Sequence, residues 1–437
     1  MRTTRHLKIP DLYMPAFGRL RGQTRRDGRP DSLNHCIPFD FCGRQPHETL
    51  GNDNRGRSTV DRKQFRLRSQ NRTQWAPSHP PMKLGLGLYR HMLTRENYQF
   101  ALQAGATHIV AHLVDYSRGN PQATSDDQPT GTDMGWGLAG DPDKLWTLEE
   151  MIALRRDVEA NGLRLEAIEN FDPAHWYDIL LDGPKRAQHI ENVKTILRRM
   201  GQAGIPIMGY NFSLAGVAGR TKGRYARGDA PSVGMEGAYD SPMPSGMVWN
   251  MVYDPEALSG TVAPVSHDEL WRRLETFLRD VLPTASEAGV KLALHPDDPP
   301  TPTIRGQPRL VYQPRYYQRV LDLSPSTSNA LEFCIGSLAE MTEGDIYKVV
   351  DEYSRQGRLG YVHFRNVVGK APHYRETFID DGAVDMMRVL EILKRNHFDG
   401  VLIPDHTPQM ACAAPWHAGM AYAMGYMKAA MRALDIA

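Results

Sequence analysis

The chain has 437 residues, of which 41% are hydrophobic and 24% are charged. These ordinary globular values exclude a wholly disordered chain, a collagen and a coiled-coil rod. The sequence contains no run of about 18 apolar residues, so no membrane span is predicted. Four cysteines are too few for a disulfide scaffold, so we expect a cytoplasmic protein.

The first 81 residues differ in kind from the rest, since they hold 16 Lys and Arg against 7 Asp and Glu. They show no sustained apolar periodicity and lack the apolar core of a secretory signal. We expect a poorly ordered Arg-rich extension, or a translation start at Met82. Two alternatives stay open: a zinc site around Cys36 and Cys42, without the usual paired CxxC spacing, and a nucleic-acid-binding arm.

From Met82 onward, short apolar runs alternate with helical stretches. The runs predict eight strands, at 83–88, 107–113, 163–169, 205–211, 290–295, 329–334, 360–364 and 400–406. Among the helices between them, 147–161 opens with a capping box formed by Thr147 and Glu150. Eight strand–helix units predict an α/β fold, a (β/α)8 TIM barrel spanning 82–437.

A doubly wound open sheet is the alternative, but no GxGxxG or GxxxxGK[ST] motif follows any predicted strand. A Gly-, Pro- and Met-rich insertion lies at about 212–264. It is predicted to be a lid or a subunit contact, with a tolerated surface insertion as the alternative.

The active site of such a barrel lies at the carboxyl ends of its strands. Four consecutive predicted strands end in residues that can bind a metal ion, namely His295, Cys334, His363 and Asp405. Taken singly, each is also typical of a loop or core position. Together, two imidazoles, a thiolate and a carboxylate favour Zn²⁺, Fe²⁺, Co²⁺ or Mn²⁺ over Mg²⁺ or Ca²⁺.

Other polar residues are predicted near the same ends. Arg309 and Arg365 are expected to bind a substrate carboxylate, with ordinary ion pairs as the alternative. The further predicted site residues are His406 and Tyr210 for catalysis, and Asn211 and Glu169 for substrate binding.

The region after Met82 resembles mannonate dehydratase, of the xylose-isomerase-like barrel superfamily. The resembling stretches occur in the family's order and are WTLEEMIALRRDVEANGLRLEAIEN (146–170), HIENVKTILRRMGQAGIPIMGYNF (189–212), LALHPDDPP (292–300), GQPR (306–309), FCIGS (333–337), VHFRNV (362–367), DGAVDM (381–386) and PDH (404–406). The combination of HPDDPP, CxGS, HFRN and PDH is highly specific.

The resemblance implies a hydro-lyase that converts D-mannonate to 2-keto-3-deoxy-D-gluconate in hexuronate catabolism. It implies that His295, Cys334, His363 and Asp405 bind Mn²⁺ or Fe²⁺, with Co²⁺ or Zn²⁺ as alternatives, and that His406 transfers a proton. The partner implied is a small sugar acid, with neither nucleic acid nor membrane, and we expect a homo-oligomer.

The chain departs from the family at three places. The first strand ends in Leu88-Tyr89-Arg90-His91 where the family has Trp-Tyr-Gly, and Gly219-Arg220-Thr221 is the nearest match to its Trp-Thr-Arg element. No tyrosine falls on the place of the family's catalytic Tyr, so either His417 or Tyr422 is predicted to substitute for it, or the acid is missing.

Four alternative functions remain open from the sequence. These are dehydration of another aldonate, sugar isomerisation or epimerisation, phosphodiester hydrolysis and a non-enzymatic binding role. The Cys334 ligand and the paired arginines argue against an isomerase, whose ligand sets are rich in Glu and Asp.

Overall fold

The structure is a computed structural model that describes residues 81–120, 128–130 and 133–436. The Arg-rich extension, the zinc site around Cys36 and Cys42, and the nucleic-acid-binding arm therefore lie outside the described residues, and these predictions stay open.

Eight parallel strands form a closed barrel in the described chain, which confirms the fold class predicted from the sequence. The barrel strands are β1 (Lys83–Leu88), β2 (His108–His112), β3 (Arg164–Glu169), β4 (Ile207–Tyr210), β5 (Lys291–Leu294), β6 (Asn329–Cys334), β7 (Leu359–His363) and β8 (Val401–Ile403). Each strand pairs with its neighbours in chain order, and β1 closes the barrel by pairing with β8. The carboxyl ends of all eight strands therefore meet at one rim.

A helix follows each barrel strand and covers the outside of the sheet. In the described part these are α1 (Arg95–Gln103), α2 (Leu148–Ala160), α3 (Arg186–Ala203), α4 (His267–Glu287), α5 (Arg315–Asp322), α6 (Ile346–Arg355), α7 (Met386–Arg395) and α8 (Pro415–Ala433). The predicted capping box is present, because Thr147 Oγ1 accepts from the Glu150 amide and the Glu150 carboxylate accepts from the Thr147 amide. It satisfies backbone donors that the first turn of α2 would otherwise leave unpaired.

Two kinds of apolar packing hold the barrel together. Its interior is filled by a small cluster of buried side chains, namely Val110, Ala167, Ile207, Ala293, Ala330, Tyr361, Val401 and Ile403. Outside, each helix buries one stripe against the strands, as α4 does with Leu270, Leu274 and Phe277. The packed interior leaves the rim as the place where polar side chains can face a ligand.

The long insertion adds strands above this rim. Thr221–Ala226 and Ala230–Glu236 join Asn366–Lys370 and His373–Thr377, which follow β7, in a four-stranded antiparallel sheet. Met247–Val248 and Met251–Val252 form a second small sheet with Gly137–Leu138. The insertion is thus tied to the loops after β2 and β7, while its role as a lid or subunit contact stays a prediction.

Shorter elements complete the described chain. They are the helices Tyr177–Leu181 and Ile335–Glu340, the 3-10 turns Arg90–Met92, Pro173–His175, Arg227–Asp229 and Pro255–Ala257, and the strand pair Thr303–Ile304 and Gln307–Pro308. No helix within the described ranges is long and apolar enough to cross a membrane.

Candidate metal centre and active site

A cleft opens at the carboxyl rim of the barrel. The described residues that line it come from the ends of seven barrel strands and from the insertion, and they are Tyr89, His112, Tyr116, Gln128, Pro129, Trp136, Glu169, Asn170, Asn211, Val217, Arg220, Trp249, His295, Asp298, His363, Asp405 and His406. The floor is rich in ionisable groups and the walls are largely aromatic. Such a combination suits a small polar ligand.

Three of the four predicted metal ligands converge on one point. The ligand atoms of His295, Cys334 and His363 all lie within 4.8 Å of one another. They end or directly follow β5, β6 and β7, which are adjacent in the barrel. Parallel pairing places Cys334 opposite His363 in register, so the strand order itself brings these side chains together.

Neighbouring groups prepare these atoms for an ion. The imidazole Nδ1 of His295 lies 2.6 Å from the Pro296 carbonyl oxygen, which selects the tautomer whose Nε2 can bind a metal ion. Burial opposes protonation, but Glu332 and Cys334 raise the pKa of this ring to about 9, so metal binding would displace a proton. Burial alone would raise the pKa of the Cys334 thiol, but Arg365 and His295 hold it well below its usual value. A thiolate and a neutral imidazole are the forms that bind a metal ion.

The ring of His363 lies between two sets of carboxylates. Its Nε2 is 3.0 Å from Glu332 Oε1 and 3.3 Å from Glu169 Oε2, while its Nδ1 is 3.3 Å from Asp405 Oδ2. Burial and the nearby Glu169 raise the pKa of Glu332 to about 8. Glu169, Glu332 and His363 form a second cluster of potential ligand atoms within 4.8 Å.

Asp405, the fourth predicted ligand, is not part of the cluster of His295, Cys334 and His363. It lies next to this cluster, with its Oδ2 3.3 Å from His363 Nδ1. Its backbone has a φ of 63°, in the left-handed region that an Asp tolerates better than most residues. Its Oδ1 lies 3.4 Å from His406 Nε2, and the other nitrogen of His406 is 3.3 Å from Glu376 Oε1. Burial lowers the pKa of His406, but the carboxylates of Asp405 and Glu376 outweigh this effect and raise it above its ordinary value.

The two predicted carboxylate-binding arginines do not line the cleft. Arg365 is buried and its guanidinium donates to Asp405, Glu340 and Asp298 at 2.7–3.0 Å. Arg309 ion-pairs with Asp297 at 2.9 Å and also donates to backbone oxygens of the adjacent loops. Because protein groups already occupy these donors, both side chains hold the rim in shape.

Arg220 occupies the cleft instead. It is buried, and its Nε and Nη1 atoms have no hydrogen-bond partner among the described residues. The nearest carboxylates, Asp298 and Glu376, lie 3.6 and 3.7 Å from Nη1. The sequence showed Arg220 only as a displaced match in the insertion, since no periodicity in that segment predicts which side chain turns inward.

The ends of β2, β3 and β4 carry a chain of neutral hydrogen bonds. Asn211 Nδ2 donates to Asn170 Oδ1 at 3.1 Å, and Asn170 Nδ2 donates to Tyr116 Oη at 3.0 Å. Tyr116 Oη is in turn 2.9 Å from His112 Nδ1. His112 was missed from the sequence, although it ends its strand as His363 does. The predicted Asn211 lies in the cleft, and Glu169 turns its carboxylate toward His112 and His363.

The other two predicted catalytic residues lie away from this cleft. Tyr210 is fully buried and packs against Phe171 and Phe277, because alternate residues of β4 point outward to the helices. His417 lies in α8, with its Nε2 2.9 Å from Asn97 Oδ1. Tyr422 is partly exposed and contacts Arg227.

Comparison with known proteins identifies the family. The family model for D-mannonate dehydratase (UxuA) matches residues 116–235 and 255–435. The mannonate dehydratase of Streptococcus pneumoniae (strain 70585) is 34% identical over 278 residues, which cover 60% of this chain and 74% of the relative. Mannonate dehydratase 2 of Halalkalibacterium halodurans is 32% identical over 275 residues, covering 60% and 79%.

A solved structure agrees with these relatives. The crystal structure of mannonate dehydratase from Streptococcus suis serotype 2 superposes with a TM-score of 0.61 at 28% identity, covering 82% of this chain and 95% of that one. The chain therefore belongs to the D-mannonate dehydratase family and is an enzyme of the hydro-lyase class.

Proposed function

We propose that this enzyme dehydrates D-mannonate to 2-keto-3-deoxy-D-gluconate, using a divalent ion bound by His295, Cys334, His363 and Asp405. The observation that carries the proposal is the convergence of the imidazoles and the thiolate within 4.8 Å at the cleft floor. Family membership supports the choice of substrate. The reaction is a step of hexuronate catabolism.

The donor set fits such an ion. His363 Nδ1 is buried without a hydrogen-bond partner among the described residues, as expected of a nitrogen whose partner is a metal. Its Nε2 faces Glu332 and Glu169, which is the carboxylate–histidine arrangement that orients metal-bound imidazoles. One thiolate and two imidazoles suit Zn²⁺, Fe²⁺, Co²⁺ or Mn²⁺, and among these the family resemblance favours Mn²⁺ or Fe²⁺. A bound ion supplies positive charge beside the substrate carboxylate.

Arg220 is proposed to bind that carboxylate from the protein side. Two unpaired guanidinium nitrogens in a buried position are costly unless a ligand accepts from them. An aldonate brings an anionic group of matching geometry, and charge-assisted bonds to it are strong. Arg309 and Arg365 are proposed to act indirectly, by holding the loop after β5 and the Asp405 carboxylate.

His406 is proposed to transfer one of the two protons that dehydration requires. It lines the cleft beside Asp405, and Glu376 fixes its ring through the second nitrogen. The polyhydroxyl chain of the substrate is proposed to lie among Trp136, Trp249 and Tyr89, which line the cleft and whose rings can pack on C–H faces. Asn211 is proposed to hydrogen-bond a substrate hydroxyl, and Glu169 to hold the imidazoles around it.

A sugar isomerase or epimerase is the second function that an observation favours. The cluster of Glu169, Glu332 and His363 offers a carboxylate-rich ligand set of the kind used to hold neutral sugar hydroxyls. It competes with the thiolate-containing set because both include His363. Dehydration of a different aldonate would use the same residues, so only an activity assay distinguishes it from dehydration of D-mannonate.

The test is a panel of substrates with the metal-loaded protein. D-mannonate, its C2 and C3 epimers and the corresponding aldoses are incubated, and formation of a 2-keto-3-deoxy acid from the acids and of a ketose or an epimer from the aldoses is followed. We expect turnover of D-mannonate; activity confined to aldoses would favour the isomerase, and activity on another aldonate alone would change the substrate.

The proton-transfer role of His406 has its own test. His406→Asn is expected to keep the bound metal and lower kcat by about 10²-fold or more, the usual size of general acid–base catalysis. Metal content by elemental analysis and kcat are measured on the same preparation. An unchanged kcat would remove His406 from the mechanism.

A further inference from the structure

Four imidazoles line the cleft among the described residues, and His112 is the one of them to which the proposed function gives no role. It ends β2, and β2 and β8 flank β1 in the barrel. His112 and His406 both line the cleft and its narrow extension beside Tyr89. These two imidazoles therefore line one cleft from the strands on either side of β1.

The ring of His112 is held from several directions. Its Nδ1 is 2.9 Å from Tyr116 Oη, which the Asn170 amide fixes in turn. Tyr89 packs at 5.0 Å between ring centroids. The other nitrogen, Nε2, lies 3.7 Å from Glu169 Oε2, which is beyond hydrogen-bond distance. Nε2 is thus the atom left to meet a ligand, with a carboxylate near it.

Dehydration needs a base for the C2 proton and an acid for the departing C3 hydroxyl. We propose that His112 is the base that removes the C2 proton, with Tyr116 and Glu169 as its positioning residues. This inference rests on the proposed function.

The atoms balance as follows for the proposed reaction. The lone pair of Nε2 takes the C2 proton, the C–H electrons form the C2–C3 double bond, and the C3–O bond breaks. The leaving hydroxyl takes a proton from His406 and departs as water, and the enol tautomerises to the 2-keto acid.

The environment of His112 fits a base. Burial lowers its pKa from the ordinary value, and the Glu169 carboxylate only partly opposes this, which favours the neutral ring that a base requires. For Nε2 to accept, Nδ1 carries the hydrogen and donates to Tyr116 Oη. The imidazolium that forms is then stabilised by Glu169 close to Nε2.

The experiment removes the base and supplies it again. His112→Ala is expected to lower kcat on D-mannonate by about 10²- to 10⁴-fold with little change in KM or metal content, and added imidazole restores part of the rate. Tyr116→Phe removes the group that holds Nδ1, so we expect a drop of about 10-fold with folding and metal binding retained. His397→Asn is the matched control, because His397 is exposed, precedes β8 at the opposite end of the barrel, and has a φ of 59° that Asn tolerates.

The outcomes separate this inference from the function on which it rests. A wild-type enzyme that turns over D-mannonate and a His112→Ala variant within threefold of it would overturn the role of His112 and leave the function standing. A loss that accompanies loss of metal, and that imidazole does not restore, would also overturn it. A wild type inactive on D-mannonate would instead refute the proposed function, and the role of His112 with it.

Discussion

The two halves of the barrel rim carry different chemistry. Strands β5 to β8 deliver His295, Cys334 and His363, whose ligand atoms lie within 4.8 Å. Strands β2 to β4 deliver His112 and Asn211 in a chain of neutral hydrogen bonds, backed by aromatic rings. One half is suited to bind a metal ion, and the other presents neutral hydrogen-bonding groups and aromatic rings to the cleft.

Three buried arginines at the rim differ in how many of their guanidinium nitrogens are hydrogen-bonded to the protein. Arg365 and Arg309 are buried with most of their guanidinium nitrogens hydrogen-bonded to protein atoms. Arg309 Nε lacks a hydrogen-bond partner among the described residues but is ion-paired with Asp297 at 2.9 Å. Arg220 is also buried, but two of its nitrogens lack a partner among the described residues. Burial alone therefore does not mark a binding residue; an unpaired donor that faces a cleft does.

The largest effect is expected from removing a metal ligand in the half of the rim formed by β5 to β8. Cys334→Ser replaces the thiolate by a hydroxyl, which is a poor ligand for a borderline metal ion, and we expect a loss of bound metal and at least about 10³-fold in turnover. Serine retains the acceptor that caps helix Ile335–Glu340, where Cys334 Sγ now accepts from the Ser337 amide, so the fold should persist.

The control for this prediction is the exposed cysteine of the same described region. Cys412→Ser is expected to leave metal content and rate unchanged, since Cys412 lies in the loop after β8. Elemental analysis and a thermal melt accompany each assay. A Cys334→Ser protein with full metal content would exclude the thiolate as a ligand.

A second pair of variants compares Arg220, which lines the cleft, with Arg309, which is bonded to the protein. Arg220→Met is expected to raise KM for the acid by about 10- to 100-fold, the value of one or two charge-assisted hydrogen bonds, with the melting temperature nearly unchanged. Arg309→Met should destabilise the fold by about 3–5 kcal/mol, because it leaves the buried Asp297 carboxylate unpaired.

Denaturant titration and steady-state kinetics on both proteins measure this difference. If Arg220→Met unfolds and Arg309→Met binds the substrate poorly but remains stable, then the assignment of the two arginines is reversed.

The smallest effect is expected from removing one hydrogen-bond donor in the half of the rim formed by β2 to β4. Asn211→Ala removes one donor from the cleft and from Asn170, so we expect KM to rise by about 10-fold, the value of about one hydrogen bond, while kcat and metal content change little. Asn161→Ala, at the end of α2 outside the cleft, is the control. An equal change of KM in both variants would contradict a ligand contact at Asn211.

Much of the fold and part of the site follow from local sequence. The eight apolar runs correspond to the eight barrel strands within a few residues, because each strand is buried on both faces and must be apolar along its length. Strand ends on one rim then predict which polar side chains meet. His295, Cys334 and His363 lie together for this reason.

The remaining site residues could not be placed by strand ends alone. Tyr210 and Asn211 are adjacent in sequence, yet Tyr210 packs among outer aromatic rings while Asn211 lies in the cleft. Consecutive strand residues face opposite sides, and a shift of one residue exchanges them. Arg220 directly precedes Thr221–Ala226, the first strand of the sheet added by the insertion, and this segment has no hydrophobic periodicity from which its orientation could be predicted.

Local sequence was enough to predict the barrel, the order of its strands and the residues at their carboxyl ends, because hydrophobic patterning and parallel pairing are local or nearest-neighbour properties. Long-range contacts were needed to learn that Arg220 lines the cleft while Arg309 and Arg365 do not, and that His112 shares the cleft with His406. Those properties depend on partners distant in sequence: Arg365 meets Asp298 across 67 positions, and His363 meets Glu169 across 194.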